Sequence, residues 1–468
     1  MKLLIALAAL AAVSTAQADS TYLGMYIGGT KIGYASYSDK PDTFQGQSAT
    51  RSDSHTVIDA GLMGTALKLV TDSTTWTNPS GRPLKMNFTI ESGGRTQKVD
   101  AMFGTKSVVV NVDNNGAKSH NTLAIPAGSI VDDPITLMLH DHVSQGQKRS
   151  FWVLDPMTVS FLKNDVKFDG PSSTIVGGKK VSANLIEVID PRTTMRVFVT
   201  AKGDLVRVEG PMGIEMLPES KALALGKPDK YSPTVDLALN TSLKTDKPIE
   251  DPSHLTELKI RITGKDLSQI PSDASQTVQK DGESWIIDVH PLKLEASKGE
   301  SIVDSATDAA KWMKPSLDIP SNSPRFRELA KKIISLKKDV RGASLAIKQY
   351  VYSTMQPNAG IGVLRDASEI LATKEGVCRD YAILTTTLLR AAGIPSRVVA
   401  GLVNWDGTFY YHAWSEAWDG HRWIGIDSTT DDQQLSAGHV KLADGNVEDA
   451  FTFAFLEKSR IEVLDARH

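Results

Sequence analysis

The chain holds a single cysteine among its 468 residues, and that cysteine stands where a thiol can be activated. Cys378 follows Gly376 and Val377 and opens a run, residues 379–392, that reads as a helix closed by Gly393 and Pro395. A thiol at a helix N-terminus meets the positive end of the helix dipole and unpaired backbone N–H groups, which favour thiolate over thiol. The same amides can stabilise an oxyanion at a carbonyl under attack. Gly376 is expected to let a substrate backbone approach the sulfur. The competing reading is a buried, inert cysteine, a common fate of free thiols.

A thiolate needs a base, and a hairpin downstream supplies one. Residues 410–418 and 422–427 are β-prone and flank Asp419-Gly420, a dipeptide favoured in two-residue type I′ turns. With Asp419 and Gly420 as the loop, His412 is predicted to face Asp427 directly across the hairpin. Their Cβ atoms would then lie about 4.5–5.5 Å apart, close enough for a carboxylate to orient an imidazole. The two-residue period puts Trp414, Glu416, Trp418 and Trp423 on the face of His412. Ala413, Ser415, Ala417, Ile424 and Ile426 fall on the other, which is expected to pack. His421, at the turn, reads as solvent-facing, Glu416 as a solvated charge, and the tryptophans as core or cleft wall.

The elements that must hold these residues come in a clear order. Residues 19–225 carry repeated short β-prone runs with Gly-rich turns such as Gly28-Gly29-Thr30-Lys31 and Asn114-Asn115-Gly116, which suggests an antiparallel barrel or sandwich. A Pro-rich stretch with Pro228, Pro233, Pro248 and Pro252 begins a smaller β-rich segment, residues 226–315. In the last part, 316–468, helices take over. Ser323-Pro324 starts an amphipathic pattern through Phe326, Leu329, Ile333, Leu336 and Val340, and further helices are expected over 343–355 and 367–372. Beyond the hairpin, 435–442 and 451–455 read as loop or strand and 459–464 as a final strand completing the sheet.

The residues around the thiol resemble the transglutaminase-like superfamily of papain-like thiol enzymes. The pattern Gly-x-Cys followed by Asp-Tyr-Ala is met by Gly376, Cys378, Asp380, Tyr381 and Ala382. Leu389, Arg390, Ala391, Gly393, Ile394, Pro395 and Arg397 meet a second segment, His412, Trp414 and Glu416 a third, and Trp423 with Asp427 the last. Ser428 departs from the pattern, since many members carry proline there. The resemblance spans residues 367–430, about a seventh of the chain. It implies a C-terminal papain-like domain, so with the long antiparallel β region read from the turns the chain is expected to be α+β. It also implies Cys378 as nucleophile, His412 as base and Asp427 as its orienting partner.

Composition bounds the rest. With 41% hydrophobic and 23% charged residues the chain is ordinary globular protein, long enough for about two to four domains. A net charge of −3 with no basic run argues against nucleic acid as a partner. Lys2, the apolar residues 3–13 and Ala16-Gln17-Ala18 read as a cleaved signal peptide, residues 1–18. The mature chain is then expected to be periplasmic or secreted with no membrane span. His140-Asp141-His142 could offer two metal ligands on one side of a strand, but no further ligand stands nearby, so a polar loop is expected and no metal or cofactor is invoked. The expected function is hydrolysis of an amide bond in a protein or peptide through a Cys acyl-enzyme. Amine-transferring cross-linking and a catalytically idle binding or assembly role are the alternatives. No residue pattern bears on oligomeric state.

Overall fold

The computed structural model describes residues 20–62, 65–140, 143–190, 193–226, 235–292, 301–302, 309–361, 364–450, 456 and 459–468. The signal segment, Asp141, His142, Pro228, Pro233 and residues 451–455 lie outside them. The chain divides into two compact units, Met1–Asn240 with Gly360–Leu364, and Thr241–Ala359 with Arg365–His468. Among the described residues no helix is long and apolar enough to cross a membrane.

The first unit is built on one fourteen-stranded sheet. Thr21–Ile27 lies inside it, antiparallel to Thr30–Phe44 on one side and to Ile214–Glu219 on the other. From there the strands follow in sequence order to edges at Ala117–Ala124 and Lys148–Asp155. Such hairpin-by-hairpin order follows from the turns. Gly28 and Gly29 have φ of 54° and 79°, and Asn115 and Gly116 53° and 97°, the left-handed conformations that tight β-turns demand. Alternation supplies the core, with Leu67 and Leu69 buried and Lys68 between them exposed. The expected antiparallel β region is therefore a single large sheet. His140 closes a short helix, Pro134–His140, instead of lying on a strand.

The second unit is α+β. Four strands, Gln276–Asp281, Ser284–Val289, Glu257–Thr263 and Arg460–Arg467, make a small sheet in that order. The final strand thus joins the segment expected over 226–315 and not the sheet beside the cysteine. The larger sheet contains β1 (Ser396–Trp405), β2 (Thr408–Trp418), β3 (Trp423–Ile426) and β4 (His439–Gly445). In it β2 pairs with β1 and β3, while β4 pairs with the far edge of β1. Leu258, Ile260, Ile262 and Ile287 of the small sheet share one core with Leu402, Phe409 and Val440 of the larger.

Helix α1 (Pro324–Ile334) ends earlier than its apolar pattern suggests. Ser335 turns the chain with φ of 49°, which leaves Leu336 88% exposed and makes Val340 the first residue of α2 (Val340–Thr354). Asp339 caps α2 by accepting from Gly342 N–H, and Asp366 caps α3 (Ala367–Thr373) in the same way. Helix α4 (Cys378–Ala391) is buried along nearly its whole length, so its apolar and small residues face neighbours all round. Ile383, Leu384, Leu388 and Leu389 are fully buried there, each worth about 1.5–3 kcal/mol of transfer free energy.

Candidate active site

Cys378 is the first residue of α4, and the turn before it is locked from below. Asp380 reaches back to accept the Val377 N–H at 3.0 Å, satisfying a donor that the helix leaves open. The same carboxylate meets Arg365 at 3.0 Å with both side chains wholly buried, and Arg365 Nη2 also donates to the Glu375 carbonyl at 2.5 Å. Gly376 is buried against this pair. A Cβ there would lie 2.6 Å from Asp380 Oδ2 and 2.8 Å from Arg365 Nη2. The expected role of Gly376 in admitting substrate is thus replaced by a packing one: it makes room for the ion pair that fixes the cysteine turn.

The Cys378 side chain is half-buried and hydrogen-bonds to the His412 ring, while the Ala413 N–H points to the sulfur. Burial pushes the thiol up, but the hydrogen bond and charge of His412, with the Ala413 amide, hold it below its ordinary 9.0. His412 Nε2 lies 2.7 Å from Asp427 Oδ2, which leaves Nδ1 as the ring atom for the thiol. Burial pushes the imidazole down, yet the charge and hydrogen bond of Asp427, and then those of Cys378, lift it from 6.5 to about 10. Burial alone would raise the Asp427 carboxyl; the charge and hydrogen bond of His412, joined by His439, hold it well below the carboxylate range. Asp427 Oδ1 in turn accepts from the Thr429 N–H at 2.8 Å and its hydroxyl at 2.7 Å. The three residues singled out in the sequence therefore lie together, with Asp427 hydrogen-bonded to His412 and His412 set against the thiol, whose pKa is lowered while that of the imidazole is raised.

The hairpin that brings them together differs from the expected one. Trp418 faces Trp423, so the loop is four residues long, with Asp419 N–H donating to the Arg422 carbonyl at 3.1 Å and Asp419 Oδ1 accepting from the amides of His421 and Arg422. Asp427 lies just past the end of β3, two positions short of a direct partner for His412. A shift of two keeps a residue on the same face, and the diagonal is within side-chain reach. Face assignment survives the changed register. Ser415, on the packing face, donates to the Ala382 carbonyl at 3.0 Å and shares a hydrogen bond with Thr386 at 2.9 Å, binding β2 to α4.

Other neighbours revise the reading of single residues. Glu416 is not solvated; it is buried between Arg397 and Lys441, each at 2.6 Å, and both cations also meet Asp273. Ser428, the departure from the family pattern, shares a 2.7 Å hydrogen bond with Thr385 in the core. Trp414 is buried over Gly401, where a Cβ would lie 2.7 Å from its ring, and Trp418, Trp423 and Trp312 form a second aromatic group. Trp405 is 72% exposed. His421 is exposed, as expected of a turn histidine.

Sequence reasoning missed His439. It sits on β4, its Nε2 3.4 Å from Asp427 Oδ2 and its ring 5.8 Å from that of His412. Because β4 pairs with β1 and not with β2, neither spacing nor hairpin arithmetic points to it. His412, Asp427 and His439 offer three possible metal-ligand atoms within 4.8 Å of one another. The 2.7 Å between His412 and Asp427 is the spacing of a shared proton, shorter than the roughly 3.3 Å that separates two ligands on a tetrahedral zinc ion.

Comparison with known proteins gives this geometry a context. Residues 327–428 match the family model described as the Transglutaminase-like superfamily. A protein-glutamine gamma-glutamyltransferase of Pseudomonas aeruginosa is 31% identical over 147 residues, covering 28% of this chain and 21% of that protein. An uncharacterised protein of Mycobacterium leprae is 31% identical over 139 residues, 27% of this chain and 49% of its own length. The chain thus spans from about a fifth to a half of these curated relatives. Among solved structures, a candidate cysteine protease of Cytophaga hutchinsonii aligns with 48% of this chain and 86% of its own, at 19% identity and a TM-score of 0.33.

Proposed function

Residues 327–428 belong to the transglutaminase-like superfamily, and from that premise we propose that this protein is an exported thiol hydrolase that cleaves an amide bond in a protein or peptide. The observation that carries the proposal is the hydrogen-bonded chain from Cys378 through His412 to Asp427. In the first half-reaction the Cys378 thiolate attacks the amide carbonyl carbon, and the oxygen takes the negative charge opposite the open end of α4. The Cys378 backbone N–H, at the first helical position, is a candidate donor to that oxygen. The His412 imidazolium then gives its proton to the departing amine, leaving a thioester. In the second, His412 takes a proton from water, the hydroxide adds to the thioester, and the acid leaves as the thiolate is restored. Asp427 keeps the ring oriented throughout and stabilises its charged form.

Water is the default acceptor because hydrolysis needs only access, whereas transamidation needs a site that holds an amine and excludes water. The resemblance to the Pseudomonas gamma-glutamyltransferase favours a second reading, in which an amine takes the place of water. Incubating the mature protein with a glutamine-containing peptide and a labelled amine separates the two. Release of ammonia with little label incorporated supports hydrolysis; label incorporated in preference to hydrolysis replaces it with transfer. Export rests on the N-terminal pattern of Lys2, residues 3–13 and Ala16-Gln17-Ala18, and finding the mature N-terminus at Asp19 in a periplasmic or secreted fraction tests it.

A further inference from the structure

Asp427 serves two imidazoles. Its Oδ1 is occupied by the Thr429 amide and hydroxyl, and its Oδ2 faces His412 Nε2 at 2.7 Å and His439 Nε2 at 3.4 Å. His439 is itself held on its other side, with Nδ1 3.4 Å from the Ser436 hydroxyl and 3.3 Å from the Ser436 carbonyl. Its ring stands edge-on to Trp414, centroids 5.4 Å apart at 83°, and its side chain is 10% exposed. With Nε2–H donating to Asp427, Nδ1 either accepts from the Ser436 hydroxyl or donates to the Ser436 carbonyl.

We propose that His439 is a positioning residue for the Cys378 thiol, its Nε2–H holding Asp427 Oδ2 in the orientation that receives the His412 ring. This rests on the reading of Cys378 as a nucleophile given above. A carboxylate torsion is broad and roughly two-fold, so each further donor from a separate element narrows the range the group can occupy. A donor on each oxygen closes that freedom. His439 reaches the carboxylate from β4, Thr429 from the turn after β3 and His412 from β2, so three separate elements fix one group. Among the described residues Lys348 of α2 also faces Asp427, and its Nζ donates to the Thr430 carbonyl at 2.5 Å. It secures the same turn through the Thr430 carbonyl. The competing account is a histidine kept only to pack against Trp414. The two accounts differ in what can replace it: packing is served by Phe, positioning by Gln, whose Nε2 can donate where that of His439 does.

The test is the rate at which iodoacetamide alkylates Cys378 in the full mature chain, measured from about pH 5 to 10 for wild type, His439→Phe, His439→Gln and His412→Ala. Loss of one ordinary hydrogen bond to Asp427 predicts a rate about tenfold lower at neutral pH in His439→Phe, with the acid limb moved upward. His439→Gln is expected to recover to within about threefold of wild type. A wild-type profile in His439→Phe, or Gln no better than Phe, overturns the proposal. Should His439→Phe melt below the assay temperature, Ser436→Ala, which removes the hydroxyl that faces Nδ1 and also accepts from the Gly438 N–H, is read in its place. A smaller drop in the same direction is expected there, and an unchanged profile overturns the proposal. Indifference to His412→Ala as well would defeat the thiol–imidazole reading itself, whereas sensitivity to His412→Ala alone defeats only the role given to His439.

Discussion

His412 and Asp427 hydrogen-bond at 2.7 Å although no ladder pair joins them. Asp427 stands where β3 has ended, so its backbone is free to turn while its side chain keeps the face that the strand set. The Thr429 amide and hydroxyl then fix the carboxylate from the outer side. A strict cross-strand pair would have left both backbones committed to the ladder and Oδ1 without these donors.

Removing the members of the chain should produce graded losses. Cys378→Ala abolishes turnover, and His412→Ala lowers kcat by about 10²–10⁴-fold, the usual contribution of a general acid–base. Asp427→Ala leaves a larger residual rate than His412→Ala, because it orients and does not react. Steady-state kinetics on a peptide substrate, with circular dichroism to confirm folding, check the order. Equal rates for the Asp427 and His412 variants would contradict it.

Much of this arrangement is legible in the sequence because it is local. Cys378 at a helix start, His412 on a strand and Asp427 beyond a turn need only periodicity and a hairpin to be brought near each other. What was not legible depends on contacts between distant elements. Arg365 neutralising Asp380, Lys441 neutralising Glu416 and His439 reaching Asp427 all cross strand or helix boundaries that spacing does not encode. The loop length was misjudged for a different reason. Asp419-Gly420 satisfies a two-residue turn, but Asp419 instead uses its carboxylate to close a wider one by accepting from two amides. The fourteen-stranded order was partly readable, since Gly28-Gly29 and Asn115-Gly116 mark hairpins, while the pairing of Thr21–Ile27 with Ile214–Glu219 joins the ends of the region and leaves no local signal.

The lock beneath the cysteine turn makes Gly376 and Asp380 stability positions. Gly376→Ala puts a methyl against Asp380 and Arg365 and is expected to cost about 1–3 kcal/mol. Asp380→Ala strands the buried Arg365 guanidinium and should cost about 3–5 kcal/mol. Urea unfolding of both variants measures this; wild-type midpoints would show that the turn does not depend on the pair.

Ser428 offers a cleaner test of a buried hydrogen bond. Ser428→Ala leaves the Thr385 hydroxyl without its 2.7 Å partner and should destabilise by about 1–3 kcal/mol. Adding Thr385→Val removes the stranded group, so the double variant should be less than additive. Full additivity in a double-mutant cycle would mean that the two hydroxyls do not interact.

The thiol and imidazole make opposing contributions to the pH dependence of stability. His412 is raised from 6.5 to about 10, so the stability it contributes is complete below pH 6.5 and is lost as pH rises through about 10. Cys378 is lowered from 9.0, so its contribution is complete above pH 9.0 and is lost as pH falls through its folded value. Between pH 6.5 and 9.0, where both groups titrate, the two slopes offset one another. Cys378→Ala removes the rising one, and its stability, measured against Cys378→Ala/His412→Gln, should fall steadily above pH 6.5. A flat difference would show that His412 is not raised in the folded protein.

The most direct measurement of the central claim is the pH profile of iodoacetamide alkylation at Cys378, the chain's single cysteine. With the thiol held below its ordinary value by His412, the rate should rise at lower pH than that of an unperturbed thiol, and His412→Ala should move the rise toward 9.0. A wild-type rate that climbs through pH 7 and 8 like that of an unperturbed thiol, with pKa about 8.5, would contradict the account.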